Sequence, residues 1–477
     1  MILDARQDLV NLNRSADLVI VGSGHVGMRL AEELADAANI LIVESGGFGA
    51  DDDTEALNAG DVIGLPYPLT STRTRQFGGS SHLWAGYCAP FDRQDFEPRS
   101  WVPFSGWPFP ASELDPFVER AALRLNLSRP AFGAREVATE EGVALPREIL
   151  ERASLWRFGA PTMRIDQSVQ ALVMHENVSV LINATAAEIA VDATGSEARR
   201  LVIRTLNGRQ GSITAKQIVL ACGGIETARL LLNSDAQMAG GLGNRHDIVG
   251  RFFMEHPHQQ VASFSLDAEK DLAGWITRLR SGWGDEIMFN LGISSKEQED
   301  HRILNARAHI YRTPAMSDEE SPLLGLFAEQ APNPASRVIL IDCRDALGMR
   351  RIALDWRLTD LDWRTFEETG TVLGAALEAA RFGRRRQLRS LRRDNTSILH
   401  SNHHLGTTRM AANPELGVVD ANARLHGLEN LYIMSGGIFP TVSWANPTLT
   451  LLALTLRLAE HLKTKFASSQ PKAGSNT

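Results

Sequence analysis

The 477 residues carry 57 acidic against 49 basic side chains, a formal net charge of −8, and 43% of them are hydrophobic. A chain of this length buries more than one core and predicts two domains, while the acidic balance argues against nucleic acid as a partner. The three cysteines, Cys88, Cys222 and Cys343, lie far apart with no C-x-x-C pair, so neither a disulfide framework nor a cysteine metal site is expected, and Cys222 reads as a small buried hydrophobe.

Residues 1–14 read as an N-terminal arm. Asp4, Arg6 and Asp8 interrupt any apolar leader, and no later stretch approaches the roughly 18 apolar residues that span a bilayer. A cytoplasmic protein without a membrane span is therefore expected. From Asp17 an apolar strand runs into Gly22-Ser23-Gly24-His25-Val26-Gly27, an amphipathic helix follows, and a second strand, Asn39 to Val43, ends in Glu44 and Ser45. In such a turn Gly22 permits the tight bend, Gly24 lets backbone N–H groups approach a pyrophosphate, and Gly27 lets the helix sit against the strand. Glu44 is placed to accept from a ribose. The fingerprint predicts a bound dinucleotide without separating FAD from NAD.

Further along, Gly78-Gly79-Ser80-Ser81 forms a small-residue loop, and strands are predicted near 178–182, 201–205 and 218–221, the last followed by a helix. From 255 to about 360 short alternating strands, including 337–342 and 351–356 about a turn at Leu347-Gly348, predict an antiparallel substrate domain. A helix from about Asp362 to Phe382 leads back. The arginine-rich run 381–393 is read as a solvated helix and loop, the alternative being a grip on an anionic partner or a membrane surface. The expected organisation is a first cofactor-binding part over 15–254, with a substrate-side insertion at about 50–165, then a substrate domain over 255–395. A second cofactor-binding part over 396–466 and a loose tail over 467–477 complete it.

The second part carries Ser401-Asn402-His403-His404-Leu405-Gly406-Thr407-Thr408 and, later, Trp444-Ala445-Asn446-Pro447-Thr448. A histidine among glycine and hydroxyl residues, joined by a second polar side chain held by a proline ahead of an apolar helix, is what proton removal from an alcohol needs. With an ordinary pKa of about 6.5 such an imidazole is mostly neutral at pH 7 and free to accept. Read alone, the histidine pair also fits core packing, and His400 with His403 shares one helical face as metal ligands would; no carboxylate or cysteine lies close enough in sequence to complete a metal site, and none is expected.

These two ends, with Thr74 to Gly86, Val219 to Leu232, Val249 to Pro257 and Asn430 to Gly437, resemble the glucose–methanol–choline (GMC) family of FAD-dependent oxidoreductases, most of all its pyranose 2-oxidase branch. The resemblance runs in order along almost the whole chain and is weakest from about 260 to 395. It implies a mixed α/β fold, a Rossmann-like FAD-binding domain with a substrate domain on an antiparallel sheet. It places FAD against Gly22, Gly24, His25, Gly27, Glu44, Ser45, Gly78, Gly79, Ser80, Ser81, Ala186, Ala221, Gly436, Gly437, Asn446 and Thr448. It assigns the catalytic histidine to His403 rather than His404, with Asn446 as its partner. Where pyranose 2-oxidases attach flavin covalently to a histidine this chain has Leu83, with His82 one place earlier, so non-covalent FAD is expected. The implied activity is oxidation of a sugar, glycoside or polyol-like alcohol, with oxygen, a quinone or a carrier protein as electron acceptor. The alternatives are non-sugar aryl or alkyl alcohols, a lyase of the hydroxynitrile lyase type that keeps FAD without net redox, or a flavoprotein that only binds a partner.

Overall fold

The computed structural model describes residues 1–128, 131–143, 147–159, 172, 174–266, 279–282, 284–311, 323–381, 383–388 and 398–469. Among the described residues the chain builds three sheets. The first has eight strands. It runs Ile2–Asp4, Val178–Ile182, Ile40–Val43, Arg14–Val21, Gln210–Leu220, Ala198–Arg204 and Thr185–Val191, with Leu431–Ile433 also on Gln210–Leu220. Its centre is parallel: Val19 pairs with Leu41 on one side and Ile218 on the other, and Ile218 pairs in turn with Leu431. Parallel strands are covered on both faces, which is why Ile40–Val43 is apolar at every position and buried throughout. Helix His25–Leu34 packs on this sheet through Met28, Leu30, Ala31 and Leu34.

The second sheet, antiparallel throughout, runs Gly383–Leu388, His258–Leu266, Leu323–Ala328, Ala306–Tyr311, Glu286–Gly292, Ala153–Phe158 and Tyr87–Cys88. Alternation sorts its two faces. Ile287, Phe289 and Leu291 pack with Trp363, Phe366 and Leu373 of helix Asp360–Ala379. The other face carries Trp156 and Phe327, whose rings meet at 5.8 Å, and Trp156 also meets Trp444 at 5.4 Å. Fully burying each such ring stabilises by roughly 1.5–3 kcal/mol, and this edge-to-face aromatic cluster fixes the antiparallel sheet over the segment that carries Asn446.

Several expected boundaries shift. The arm 1–14 is not outside the first sheet, because Ile2–Asp4 pairs in parallel with Val180–Ile182. The segment near 50–165 gives Tyr87–Cys88 and Ala153–Phe158 to the antiparallel sheet, while 337–355 does not join it. Arg337–Arg344 and Arg350–Asp355 instead form their own three-stranded sheet with Gly60–Val62. In the arginine-rich run, Gly383–Leu388 is an edge strand paired with His258–Leu266 rather than helix or loop; charge on an edge strand discourages further pairing. Residues 389–393 of that run lie outside the described residues. The last helix continues over Thr448–Ser469, so the expected tail begins later, and 470–477 also lie outside the described residues. Among the described residues no helix is long and apolar enough to cross a membrane, and no cluster of three or more His, Cys, Asp or Glu could hold a metal ion.

Candidate active site

At the carboxyl end of the central parallel strands the main chain makes a cradle. Gly22 has φ +104°, and a Cβ there would lie 2.7 Å from the Ala221 carbonyl oxygen; a Cβ on Gly27 would lie 1.9 Å from the Gly22 oxygen. Strand, turn and helix thus touch backbone to backbone, which only glycine allows. Gly24 is different. It caps helix His25–Leu34 without a side-chain bond, and a Cβ on it would meet nothing nearer than the Gly78 oxygen at 3.9 Å. The positive end of the helix therefore opens onto free space beside the Gly78–Gly79 loop, as an anion requires.

Side chains fix the cradle. The Ser23 hydroxyl donates to Glu44 Oε2 at 2.6 Å and accepts from the Gly78 N–H at 2.9 Å, so it ties the two glycine turns to the acid. The Ser81 hydroxyl accepts from the His25 N–H at 3.0 Å. Glu44 is buried, which pushes its carboxyl pKa up against the Gly46 and Ser23 donors that pull it down. Ser45 Oγ lies 2.8 Å from Thr185 Oγ1, next to Ala186, and accepts from Arg75 at 3.0 Å. Arg75 and Arg73 both pair with Glu226 at 2.5 Å, fastening the glycine loop to helix Gly223–Asn233. Burial alone would raise the Glu226 pKa; Arg75, Arg73 and Arg229 outweigh it and hold that carboxyl well below the usual range.

The structure thus brings Gly22, Gly24, His25, Gly27, Glu44, Ser45, Gly78, Gly79, Ser81, Ala186 and Ala221 to one end of one sheet; Ser80 is exposed there. Two observations fit a dinucleotide of the FAD kind. One is the open space over Gly24. The other is the His25 ring, buried edge-on to Trp84 at 5.0 Å with neither ring nitrogen partnered, its pKa pushed down to about 4 chiefly by burial. Leu83, at the position where covalent attachment would occur, is 47% exposed, and the His82 ring is engaged with the Phe77 carbonyl at 3.0 Å.

A second site is built from side chains. An isolated antiparallel bridge between Met254 and Leu405 joins the chain before the antiparallel sheet to the histidine segment. Gly406, at φ +81°, permits it, since a Cβ there would lie 2.0 Å from the Phe252 oxygen. Gly436 and Gly437 clamp the segment from the other side by accepting from the Gly406 and Thr408 N–H groups at 3.2 and 2.8 Å. Buried Glu255 holds the histidine segment by its backbone. Its carboxylate accepts from the Tyr67 hydroxyl at 2.8 Å and from the N–H groups of His403, His256 and Ser401 at 2.6, 2.8 and 3.0 Å. Burial lifts its pKa to about 7.

His403 projects toward Asn446, whose Nδ2 lies 3.4 Å from Nε2, while its Nδ1 lies 2.7 Å from His256 Nδ1. His256 is fully buried and stacked on Phe327 with centroids 5.0 Å apart. Burial above all, then His256, His258 and His404, drives the His403 pKa well below 6.5. Asn446 Oδ1 is buried without a partner. Asn446 precedes Pro447 and Thr448, where the last helix begins, and the Leu451 N–H bonds to the Pro447 carbonyl at 2.8 Å.

His404 turns the other way, with Nε2 3.1 Å from the Thr72 hydroxyl and its ring 6.0 Å from that of Tyr67. Burial first, then Arg73 and His400, pushes its pKa down to about 3. Glu255, His256, Tyr67 and Phe327 carried no assigned role in the sequence. The run Met254-Glu255-His256-Pro257 was the available signal, but its acid and histidine acquire a role only through the bridge to Leu405.

A family model described as GMC oxidoreductase matches residues 332–455. The chain is 25% identical to a paromamine 6'-oxidase of Streptomyces fradiae over 521 residues, covering 96% of this chain and 92% of that protein. It is 27% identical to the fructose dehydrogenase large subunit of Gluconobacter japonicus over 52% of this chain and 47% of that one. Among solved structures it resembles an Aspergillus oryzae formate oxidase studied for FAD modification, with a TM-score of 0.65 at 16% identity over 96% of this chain and 100% of that one; at that identity the likeness speaks for the fold.

Proposed function

The chain belongs to the GMC oxidoreductases, FAD enzymes that oxidise alcohol hydroxyls, and from that premise we propose that His403 and Asn446 are its catalytic pair. The observation that carries the proposal is the approach of His403 Nε2 and Asn446 Nδ2 to 3.4 Å in a buried setting, with the other face of the imidazole already engaged. A substrate oxygen seated between them meets an acceptor and a donor at once. Burial keeps the His403 imidazole neutral at pH 7, so Nε2 is free to take the hydroxyl proton as the C–H bond is broken. Asn446 Nδ2 then donates to the developing alkoxide, a contribution worth roughly 2.7–4 kcal/mol for a well-placed donor. Gly24 and Glu44 would hold FAD, which when bound would supply the hydride acceptor. Leu83 at the attachment position and the engaged His82 ring support non-covalent binding.

A polyhydroxylated substrate, a sugar, glycoside or polyol, is the class we favour. Asn290 lies on the Trp156 face of the antiparallel sheet, since its neighbour Met288 pairs with Trp156, and both of its amide atoms are buried without protein partners. Buried amide atoms favour bound hydroxyls over an aryl or alkyl chain, and the similarity to a fructose dehydrogenase subunit points the same way. The test is anaerobic mixing with pyranoses, glycosides, polyols and aryl alcohols while flavin absorbance is followed, then admission of oxygen or a quinone. Bleaching by sugars or polyols that His403→Ala slows supports the proposal. Bleaching as fast in His403→Ala as in the parent chain overturns the pair, and bleaching by aryl alcohols alone overturns the substrate class.

A further inference from the structure

Fully buried His256 touches the proposed base and nothing in the reaction above uses it. Its Nε2 lies 2.9 Å from the Val442 carbonyl oxygen and 3.1 Å from that of Ser443, and its Nδ1 lies 2.7 Å from His403 Nδ1. Carbonyl oxygens only accept. A neutral imidazole has one N–H and one lone pair, and placing the lone pair against two carbonyl oxygens would leave three acceptors facing one another in a buried place. His256 Nε2 is therefore the N–H donor and His256 Nδ1 the acceptor. The short contact between the two Nδ1 atoms then requires the proton to sit on His403 Nδ1, which leaves His403 Nε2, the atom facing Asn446, with its lone pair.

We propose that His256 is a positioning residue that selects the Nδ1–H tautomer of His403 and so keeps Nε2 available as the base. The inference rests on the assignment of His403 as base and adds what aims it. The proton positions are fixed by which partners can only accept. The selection is directional and begins outside the histidines: the carbonyls of Val442 and Ser443 orient His256, and His256 orients His403. The segment leading to Asn446 thus controls the tautomer of the base as well as the position of the amide. When His403 Nε2 takes a proton, its Nδ1–H remains on His256 and the hydrogen bond becomes charge-assisted and stronger. His256 stays neutral through this because burial above all holds its pKa at about 4. Phe327, stacked at an interplanar angle of 20°, and the Glu255 carboxylate, which accepts the His256 backbone N–H, prevent the ring from swinging away.

The test compares His256→Leu with His256→Asn in the FAD-loaded protein. Both variants lose the donor to Val442 and Ser443, but asparagine can present Oδ1 where Nδ1 now accepts, so their difference isolates the acceptor. His256→Leu should lower kcat for alcohol oxidation on the order of 10–10²-fold, by analogy with loss of the partner that orients a metal-bound histidine, with KM little changed, and His256→Asn should recover most of it. Independently of activity, 15N-histidine spectra at neutral pH, assigned by the signals lost in His403→Ala, should give a protonated Nδ1 and an unprotonated Nε2 for His403. That pattern should persist in His256→Asn and give way to mixed tautomers in His256→Leu. A protonated Nε2 in the parent protein, or equal loss in both variants with unchanged spectra, overturns the inference. If His403→Ala oxidises at the parent rate the catalytic assignment fails instead, while the spectra still decide the tautomer. Should His256→Leu fail to fold, the parent and His256→Asn spectra carry the same decision.

Discussion

The cofactor cradle and the His403 pocket are made of different material. The cradle is main chain: at Gly22 and Gly27 a single added carbon would strike a carbonyl oxygen, and at Gly24 it would enter the open space proposed for the cofactor. The pocket is side chain, a set of buried imidazoles, a carboxylate and an amide whose chemistry depends on lost water and on which atom holds a proton. A site of the first kind is sensitive to volume and indifferent to pH; one of the second kind tolerates changes in volume better than changes in hydrogen bonding.

That contrast can be pressed from either side. The largest effect is expected for His403→Ala, which should slow flavin reduction roughly 10²–10⁴-fold, the range for losing a general base, while the protein still binds FAD and melts normally. Loss of bound FAD in that variant would mean the two regions are not separable. Asn446→Ala should cost on the order of 10²–10³-fold in the same measurement, and His404→Ala distinctly less, because its ring is committed to Thr72. A larger loss at His404 than at His403 would reverse the assignment.

On the cradle side, Gly27→Ala should destabilise the fold by about 3 kcal/mol, the upper end for overpacking, in denaturant unfolding. Gly24→Ala should unfold within about 0.5 kcal/mol of the parent and yet hold FAD more weakly in titrations of the apoprotein. Equal destabilisation by both would remove the distinction between a packing glycine and a ligand-facing one. The smallest effect is in pH. The His403 pKa is depressed and the proposed mechanism uses its neutral form, so the reduction rate should stay flat as pH falls through 6.5 and decline only below it. An acidic limb centred above 6.5 would contradict a desolvated base.

The same contrast explains what could be read in advance. Gly22 to Glu44 was legible because strand, turn, helix, strand and acid succeed one another in the chain, each step fixed by local physics. The motifs around His403 and Asn446 marked both residues in the sequence, and the two side chains lie 3.4 Å apart. His256 was not, since its part depends on the Met254–Leu405 bridge and on two carbonyls near residue 442, which no periodicity reveals. The stretch Gly383–Leu388 was misread for a related reason. Its charge spoke of solvent, but a strand is defined by its partner, and that partner, His258–Leu266, lies far back in sequence.

Leu431–Ile433 lies on the central strand beside Ile218–Leu220, and the last helix packs back on helix His25–Leu34 near the beginning of the chain. On the ribosome, then, a nascent chain that has already exposed its glycine turn still lacks the last strand of the sheet and the amide that faces His403. Sheet closure across such a separation is slow and waits for the far segment to emerge. Synthesis must therefore pass Ile433 before the first sheet is complete and Asn446 before His403 has its amide to face.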